Sequence, residues 1–391
     1  MVILILSAII FLFYLVYERI LLNRRICSIP LRISVTGVRG KSSVARLVAS
    51  VLQQDGRRVV AKTTGSQAQL LLADGDEIEV PRRGTPSIIE QKKLIKRAAE
   101  VNADCIVAEV MSIHPENHYV ESQQILKPNI VLLTNVRQDH IEAMGKTEDE
   151  IASVLCLDIP QKATVFIPEK ENRTLFQTAV KNAGGKLIEI QEGISSPIEH
   201  LAPEIKKKEF SDDINLVYAL GRHLNIDQKV IVDGIRKAKH DIGSLKIWKY
   251  KSYETQKIVY LVNGFAANDP QSTSNAISKL KEILPADYNK FIGLLSLRSD
   301  RGDRTIQWIQ ALKSDRFDFF SKLYVTGTHT EVVKRKVKWV NIIKYKLPEK
   351  ITESIIANVE DQAVIFGMGN MVGTGKLLVS YWNSIGKEYG L

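Results

Sequence analysis

A short apolar run that leads into a glycine-rich turn and an amphipathic helix restricts the fold of this chain more than any other feature. Leu31 to Thr36 predicts a strand, and apolar residues from Val44 to Val51 recur at helical spacing. Between them lies Gly37-Val38-Arg39-Gly40-Lys41-Ser42-Ser43. Glycines let a backbone wrap around phosphate, a helix N-terminus supplies free N–H groups, and the lysine meets the β- and γ-phosphates. The segment predicts a phosphate-binding loop in an α/β fold.

The loop is shorter than the usual Gly-x-x-x-x-Gly-Lys-Ser/Thr motif, because Gly37 stands only three residues before Gly40. In such a loop the hydroxyl of Ser42 is expected to hold a magnesium ion on the nucleotide phosphates. The alternative interpretation is a glycine-rich turn with a solvated Lys41.

Two later apolar runs support the phosphate-binding interpretation. Ala103 to Glu109 ends in a carboxylate, and Asn129 to Asn135 ends shortly before Asp139 and His140. Both runs are typical of buried parallel strands, whose carboxyl ends form the ligand crevice of an open α/β sheet. We therefore expect Glu109 and neutral His140 beside the loop, as ligands of a second ion. A helix-capping Glu109 and a hydrogen-bonded strand-end His140 are the alternatives.

An apolar stretch at the N-terminus predicts a membrane anchor. Val2 to Leu22 is apolar apart from Ser7, Glu18 and Arg19, and a helix rising about 1.5 Å per residue crosses the roughly 30 Å of a bilayer core over such a length. No cleavage pattern follows, so a removed signal peptide fits poorly; a buried core helix is the alternative. The positive charge at 19–25 lies on the C-terminal side, which predicts a cytoplasmic main body.

Composition excludes several protein classes. The chain has 391 residues, of which 45% are hydrophobic and only 12 are Pro, so disorder, collagen repeats and a disulfide miniprotein are excluded. Three widely spaced cysteines form no metal pattern and favour a reducing compartment. A net charge of +10 favours anionic partners, but aromatic residues are not interleaved with basic runs, so we expect no nucleic-acid binding.

The second half predicts another α/β layer. Helical patterns cover 212–224 and 229–239, strands cover 260–263, 291–295, 323–326 and 363–366, and further helices cover 272–284, 303–313 and 371–385. We expect three parts: an anchor at 1–25, an ATP-binding central domain at 26–245 with a mostly parallel sheet, and a Rossmann-like C-terminal domain at 246–391. The Gly367-Met368-Gly369-Asn370 turn after a strand is a weak second candidate for anion binding.

The chain resembles the Mur ligase and folylpolyglutamate synthase superfamily. Thr36 to Ser42 is similar to its Thr-Gly-x-x-Gly-Lys-Thr/Ser loop, Thr134 to His140 is similar to its Thr-Asn-x-x-x-Asp-His motif, and Glu109 stands where the superfamily has a metal-binding glutamate. Further segments extend the resemblance, over essentially the whole chain, to the ligase subunits of poly-γ-glutamate synthases. These segments are the apolar N-terminus, Lys62-Thr63-Thr64-Gly65, Val262 to Asp269, and Arg298-Ser299-Asp300-Arg301.

The resemblance implies a set of site residues. The catalytic residues would be Lys41, Glu109 and His140, and the metal ligands would be Ser42, Glu109 and His140. ATP would contact Gly37, Arg39, Gly40, Lys41, Ser42, Ser43, Asn215, Lys246, Asn263 and Asp269. The C-terminal domain would close over the nucleotide and carry the incoming amino acid, with Asn263, Asn268, Asp269, Arg298, Asp300 and Arg301 as the polar residues at its strand ends.

Two positions depart from the pattern. Lys246 stands where related ligases carry an arginine after the linker. Glu148 to Ile159 contains no lysine, whereas many Mur ligases carry a carbamylated lysine there as a magnesium ligand. Magnesium readily keeps waters, so water, or Asp158 if its side chain turns inward, is expected to fill the gap.

The resemblance implies an amide ligase that activates a carboxylate with ATP and Mg²⁺. An acyl phosphate would form and then react with the amine of glutamate, so that no reactive cysteine is needed. The implied partners are glutamate, the growing poly-γ-glutamate chain, other membrane subunits and, through self-association, a second copy. The basic residues Arg82, Arg83, Lys92, Lys93, Lys96 and Arg97 are candidates to guide an anionic chain, with a solvated helix face as the favoured alternative.

Three rival functions are open on the sequence alone. A membrane-linked ATPase that powers polymer export forms no bond itself, and a scaffold needs no working nucleotide site. A soluble ligase of cell-wall precursors is disfavoured by the predicted anchor and by the lack of an extra N-terminal substrate domain.

Overall fold

A computed structural model of the chain describes residues 1–391 except 66–67, 83–84, 172, 192–210, 240–244, 253–255, 282, 285–287, 289, 360–361 and 390–391. The chain divides into two compact units, Met1–Asp241 and Ile242–Leu391. We call them the N-terminal and the C-terminal unit.

The N-terminal unit is built on an eight-stranded, mostly parallel sheet. Its strands are β1 (Leu31–Thr36), β2 (Val59–Thr63), β3 (Gln69–Leu71), β4 (Glu77–Glu79), β5 (Cys105–Glu109), β6 (Ile130–Leu133), β7 (Thr164–Pro168) and β8 (Lys186–Ile190). The order is β4-β3-β2-β5-β1-β6-β7-β8, and β3 pairs antiparallel with both β2 and β4, whereas the other pairs are parallel. The predicted parallel strands are confirmed, and pairing of Val35 with Glu109 and of Thr36 with Leu133 brings three strand ends to one edge.

Helices cover this sheet. They are α1 (Val2–Cys27), α2 (Lys41–Gln54), α3 (Glu90–Glu100), α4 (Pro115–Tyr119), α5 (Ile141–Met144), α6 (Glu148–Leu155), α7 (Thr174–Asn182), α8 (Ser211–His223) and α9 (Gln228–Lys237), with a π-helical segment at Val120–Leu126. Helix α2 packs closely on α9, because a Cβ on Gly234 would lie 2.6 Å from the Cα of Val51. This contact holds the helix that begins at Lys41 firmly on the sheet.

Helix α1 is long and apolar enough to cross a membrane, with a mean hydropathy of 2.1 over its most apolar window. Its last turns belong to the N-terminal unit, since Leu22 and Ile26 are buried in a core with strand and α3 residues. Glu18 also accepts a hydrogen bond from the ammonium of Lys92 at 2.8 Å. The helix therefore continues without interruption from the apolar stretch into the folded unit.

The C-terminal unit has a seven-stranded sheet with the same parallel character. Its strands are β9 (Lys246–Lys251), β10 (Ile258–Asn263), β11 (Lys290–Leu297), β12 (Lys322–Gly327), β13 (Asn341–Ile342), β14 (Gln362–Gly369) and β15 (Lys387–Glu388), in the order β13-β12-β11-β14-β10-β9-β15. The four predicted strands are present, and hydrophobic clusters contain side chains from neighbouring strands and helices. Strand β9, which contains three lysines, and the two-residue strands β13 and β15 were not predicted.

In the described part of this unit, the helices are α10 (Pro270–Lys281), α11 (Gly302–Ala311), α12 (Thr330–Lys336), α13 (Pro348–Ile356) and α14 (Lys376–Ile385). The helix predicted over 371–385 begins late, at Lys376. Val372 has an extended backbone and Gly373 has a φ of +82°, so a kinked turn separates β14 from α14.

Candidate active site

The loop after β1 has the backbone of a phosphate-binding turn. Gly37 and Gly40 have φ values of +115° and +83°, which favour glycine. A Cβ on Gly37 would lie 2.3 Å from the Oγ1 of Thr134, so no larger residue fits there. The ammonium of Lys41 donates to the carbonyls of Gly37 at 2.7 Å and Val38 at 3.3 Å. The loop thus holds its lysine close to its own backbone, at the N-terminus of α2.

Glu109 lies beside this loop, as its place at the end of β5 predicts. Its Oε2 accepts hydrogen bonds from the hydroxyl of Ser42 at 2.8 Å and from the backbone N–H of Thr64 at 2.6 Å. The residue is only 4% exposed. Three segments of the chain therefore meet at one carboxylate. Thr64 contributes its backbone N–H, and such a backbone contact cannot be predicted from the side chains in the sequence.

The segment after β6 supports the loop from the other side. The side-chain amide of Asn135 accepts from the N–H of Arg39 at 3.0 Å and donates to the carbonyl of Arg39 at 2.9 Å. The guanidinium of Arg39 also pairs with buried Asp139 at 3.1 Å. His140 has a φ of +46° at the start of α5 and donates its backbone N–H to Asp139 at 2.7 Å. Asn135 and Asp139 hence brace Arg39, while His140 follows in a tight turn.

The site carries charges of both signs, and its lysine is buried. Burial lowers the pKa of the Lys41 ammonium, and the nearby Glu109 carboxylate opposes that effect. Burial also raises the pKa of the Cys105 thiol and raises that of Cys156 to about 12, so these cysteines are poor nucleophiles. Charge at this edge is supplied by lysine, arginine and carboxylate groups.

The donor set at the loop fits a magnesium ion. Within the described ranges, no group of three or more His, Cys, Asp or Glu side chains is arranged to hold a metal by itself. The hydroxyl of Ser42 and the carboxylate of Glu109 are oxygen donors in direct contact. Magnesium is typically bound through one or two protein oxygens together with phosphates and waters. This pair therefore matches the chemistry of a magnesium–nucleotide site.

Two family models match the chain. The Mur ligase middle domain matches residues 35–232, and the poly-γ-glutamate synthase CapB C-terminal domain matches residues 248–385. The chain is 31% identical over 369 residues to PGA synthase CapB of Bacillus subtilis, covering 91% of each chain. It belongs to the CapB family. It is also 30% identical to the capsule biosynthesis protein CapB of Bacillus anthracis, covering 75% of this chain and 63% of that one.

The fold of a solved ligase is similar over nearly all of this CapB-family chain. A bifunctional folylpolyglutamate synthase/dihydrofolate synthase, solved with Mn, AMPPNP and L-glutamate bound, superposes with a TM-score of 0.70 at 12% identity, covering 93% of this chain and 92% of that one. The predicted fold class is confirmed, and so is the predicted enzyme class, an ATP-dependent ligase.

Two further predicted contacts of the CapB-family nucleotide site lie on α2 and α8. Ser43 is in the first turn of α2. The side-chain oxygen of Asn215 is buried and has no hydrogen-bond partner among the described residues. Asp213, two residues earlier on α8, lies so near the loop that a Cβ on Gly40 would be 2.8 Å from its Oδ1. Asp213 is a loop neighbour that the sequence analysis missed, since it is distant along the chain.

In the segment that lacks the Mur ligase lysine, Asp158 has partners within the protein. Helix α6 ends at Leu155, and Asp158 follows in a 3₁₀ turn with its side chain fully buried. Its carboxylate accepts hydrogen bonds from Thr36, Ser122 and His118. Protein donors therefore already bind this carboxylate, which the sequence offered as a possible metal ligand. Lys162 precedes the N-terminal end of β7 and is exposed, at the edge of the sheet opposite the loop.

The basic residues on α3 and before it are largely paired. Arg82 donates to Glu90 at 2.8 and 3.0 Å, and Lys92 donates to Glu18. Lys96 and Arg97 both lie near Glu100, at 3.8 and 3.7 Å. Lys93 is exposed, and Arg83 lies outside the described residues. The contacts of Arg82, Lys92, Lys96 and Arg97 are those of a solvated helix face.

Several predicted residues of the C-terminal unit contact residues near them in the chain. Asn263 ends β10, is fully buried, and accepts from the N–H of Phe265 at 3.4 Å; Lys246 pairs with it across β9 and β10. Asp269 accepts from the N–H of Ser272 at 2.8 Å at the start of α10. Other contacts that these residues make are Arg298 with Asp300 at 2.6 Å, Arg301 with Asp303 at 3.6 Å, and the carbonyl of Asn268 with the indole of Trp308 at 3.3 Å.

Proposed function

We propose that the protein is an ADP-forming amide ligase that polymerises glutamate through γ-carboxylate amide bonds, making poly-γ-glutamate for a capsule or for secretion. One observation carries this proposal: the loop lysine, Lys41, lies beside a Ser42–Glu109 contact at the ends of adjacent parallel strands. The kinship to CapB proteins supports the choice of glutamate as substrate.

The reaction needs an activated carboxylate, because an amine and a carboxylate do not condense spontaneously in water. The γ-carboxylate attacks the γ-phosphate of ATP, which forms an acyl phosphate and releases ADP. The glutamate amine then attacks the acyl carbon, phosphate leaves, and the amine loses a proton. The transferred group carries negative charge throughout, so preorganised positive charge is the main contribution that protein residues can make.

Each loop residue has a place in this scheme. The ammonium of Lys41, now on the carbonyls of Gly37 and Val38, would turn to the β- and γ-phosphates. The N–H groups from Gly40 to Ser43 would bind phosphate oxygens, since the N–H of Arg39 already donates to Asn135. Ser42 and Glu109 would hold Mg²⁺, with His140 as the ligand of a second ion. Bound Mg²⁺ supplies charge neutralisation on the phosphates.

The remaining predicted contacts complete the proposal. Asn215 would use its unpartnered buried oxygen to accept a hydrogen bond from the nucleotide. Lys246, Asn263 and Asp269 would contact ATP or the incoming glutamate from the C-terminal unit. The roles of Lys246, Asn263 and Asp269 are proposed from the resemblance.

We also propose that the anchor at 1–25 tethers the catalytic part at the cytoplasmic face of the cell membrane, next to other membrane subunits and to further copies of the chain. Deleting residues 1–17 removes the exposed apolar stretch and keeps Glu18, Leu22 and Ile26, which contact the folded unit. The shortened protein should move to the soluble fraction and still bind ADP with Mg²⁺. Digestion of the main body by protease outside intact cells would contradict the orientation.

Membranes that contain the full chain, supplied with ATP and radiolabelled glutamate, test the reaction. We expect equal amounts of ADP and phosphate, released only with glutamate present, and a polymer that γ-specific hydrolysis degrades. An ATPase that powers export would split ATP without glutamate and form no bond. Release of AMP, or normal synthesis by the Lys41→Ala variant, would overturn the proposal.

A further inference from the structure

A buried carboxylate lies directly behind the phosphate loop. Asp158 is 0% exposed, and both its oxygens contact Nδ1 of His118, at 2.9 and 3.0 Å. The hydroxyl of Ser122 donates to it at 2.8 Å, and the hydroxyl of Thr36 donates to its Oδ2. Thr36 is the last residue of β1 and immediately precedes Gly37.

The placement of this carboxylate has an electrostatic consequence. A buried negative charge is costly, and one close to bound phosphates repels them unless a positive group compensates it. His118 is 2% exposed and directly adjacent, so the Asp158–His118 pair holds Thr36 without adding net negative charge once the imidazole is protonated. Nε2 of His118 has no hydrogen-bond partner in the described part of the chain.

The position of Thr36 determines the position of the loop that follows it. Its carbonyl accepts from the N–H of Thr134 at 3.0 Å and from the hydroxyl of Thr134 at 3.2 Å, so the residue is held on two sides. The next residue, Gly37, has no room to shift toward Thr134 and presents its carbonyl to the ammonium of Lys41. A movement of Thr36 therefore displaces the carbonyl that orients Lys41.

We propose that Asp158 and His118 are positioning residues of the phosphate loop, which act through the hydroxyl of Thr36 on the backbone from Gly37 to Lys41. The inference rests on the proposed function, since it assumes that this loop binds a nucleotide. Neither residue touches the reacting groups in this scheme. Their effect is to hold the loop in the conformation that accepts phosphates.

Calorimetric titration of ADP with Mg²⁺ into the detergent-solubilised full chain tests the inference. Thr36→Val removes the hydroxyl, Asp158→Asn removes the charge, and Thr36→Ser keeps the hydroxyl. Thr36→Val and Asp158→Asn should each raise Kd roughly tenfold, the scale of one hydrogen bond to a charged group, while Thr36→Ser should stay within about twofold of the wild type. The double variant Thr36→Val/Asp158→Asn should match the weaker single variant, because both act through one contact.

A matched control separates positioning from stability. Thr352 is equally buried in the C-terminal unit, where its hydroxyl donates to the carbonyl of Pro348 at 2.8 Å and accepts from Trp382 at 3.0 Å. Thr352→Val should lower the unfolding temperature and leave Kd for ADP unchanged. Wild-type affinity in Thr36→Val, or effects of Thr36→Val and Asp158→Asn that add in the double variant, would overturn the positioning role alone. No ADP binding by the wild type would instead overturn the proposed function.

Discussion

The two units use the ends of their parallel strands differently. In the N-terminal unit, Glu109 is bonded by Ser42 and Thr64, which come from two separate segments of the chain. In the C-terminal unit, Asp269 and Arg298 bond groups two or three residues away. Bonds between distant segments build a preorganised site, whereas bonds within a turn first serve the turn itself. The strongest functional effects should therefore come from the N-terminal unit.

The largest contrast is expected between two lysines that each follow a glycine and begin a helix. Lys41→Ala should lower kcat at least about 100-fold, because one preorganised charge at a transferring phosphoryl group is removed. Lys376→Ala, after the glycine-rich turn of the C-terminal unit, should stay within about twofold, since this side chain is exposed. Initial rates of phosphate release with glutamate measure both. Equal losses would mean that both turns bind phosphate.

Glu109→Gln should produce the next largest effect. The amide keeps the size of the side chain but is a poor magnesium ligand, so the Mg²⁺ concentration for half-maximal activity should rise at least about tenfold. Glu100→Gln, at the exposed end of α3, is the matched control and should leave the magnesium dependence unchanged. If the magnesium dependence of Glu109→Gln equals that of the wild type, Glu109 is not a magnesium ligand and only orders Thr64 and Ser42.

The sequence predicts the fold well where apolar runs are long and buried. Strand β1 has the predicted bounds, and β5, β6 and the four predicted strands of the C-terminal unit are present. The charged strand β9 and the two-residue edge strand β15 lack that signal, because their stability depends on pairing with neighbouring strands more than on a long apolar run. The kink at Gly373 is likewise set by local backbone geometry.

The site is predictable only in part, for a similar reason. The spacing from Gly37 to Ser42 and from Thr134 to His140 identifies the loop and its neighbours by motif. Asp213, Asp158 and His118 carry no motif, and only the packing of distant segments brings them to the loop. Polar residues of the C-terminal unit also lie at strand ends. The hydrogen bonds described for Asp269 and Arg298 are made within a turn or at the start of a helix.

The buried pair behind the loop predicts a pH-dependent stability. Burial by itself lowers the pKa of His118, but the charge and the hydrogen bond of Asp158 outweigh it, and the pKa lies above the ordinary histidine value of 6.5. Glu121 adds to the rise and Lys41 opposes it. The stabilisation is complete below pH 6.5 and is lost as the pH rises through the raised value.

The unfolding temperature of the nucleotide-free protein should hence fall by a few degrees above neutral pH. His118→Gln should start lower and lack this part of the slope. If the unfolding temperatures of the wild type and of His118→Gln fall in parallel as the pH rises, the protonation of His118 is not coupled to folding.

A smaller effect is expected at Asp269, where a cap and a ligand contact can be separated. Asn caps a helix about as well as Asp, so Asp269→Asn should keep the unfolding temperature, whereas Asp269→Ala should lose about 1 kcal/mol of stability. If Asp269 also contacts ATP or glutamate, the Asn variant should raise KM a few-fold with an unchanged kcat. Unaltered kinetics in Asp269→Asn would leave the residue as a helix cap.

The last expectation is that the removal of dissolved carbon dioxide leaves the rate of the reaction unchanged. The segment from Glu148 to Ile159 contains no lysine to carbamylate, Asp158 is bonded to Thr36, His118 and Ser122, and Lys162 lies at the opposite edge of the sheet. Water should then complete the coordination of the second ion. Degassed, bicarbonate-free buffer should support the same rate as buffer with bicarbonate.

A loss of activity that bicarbonate restores would point to a different amine. Lys62, on β2 next to β5, is fully buried with Nζ 3.2 Å from Glu90, and burial lowers its pKa although Glu90 opposes that effect. A neutral amine is the form that reacts with carbon dioxide, so Lys62 would be the candidate. Lys62→Arg cannot form the carbamate and should then abolish the bicarbonate response. We expect no response in either protein, because a carbamate on Lys62 would place a second negative charge against the Glu90 carboxylate.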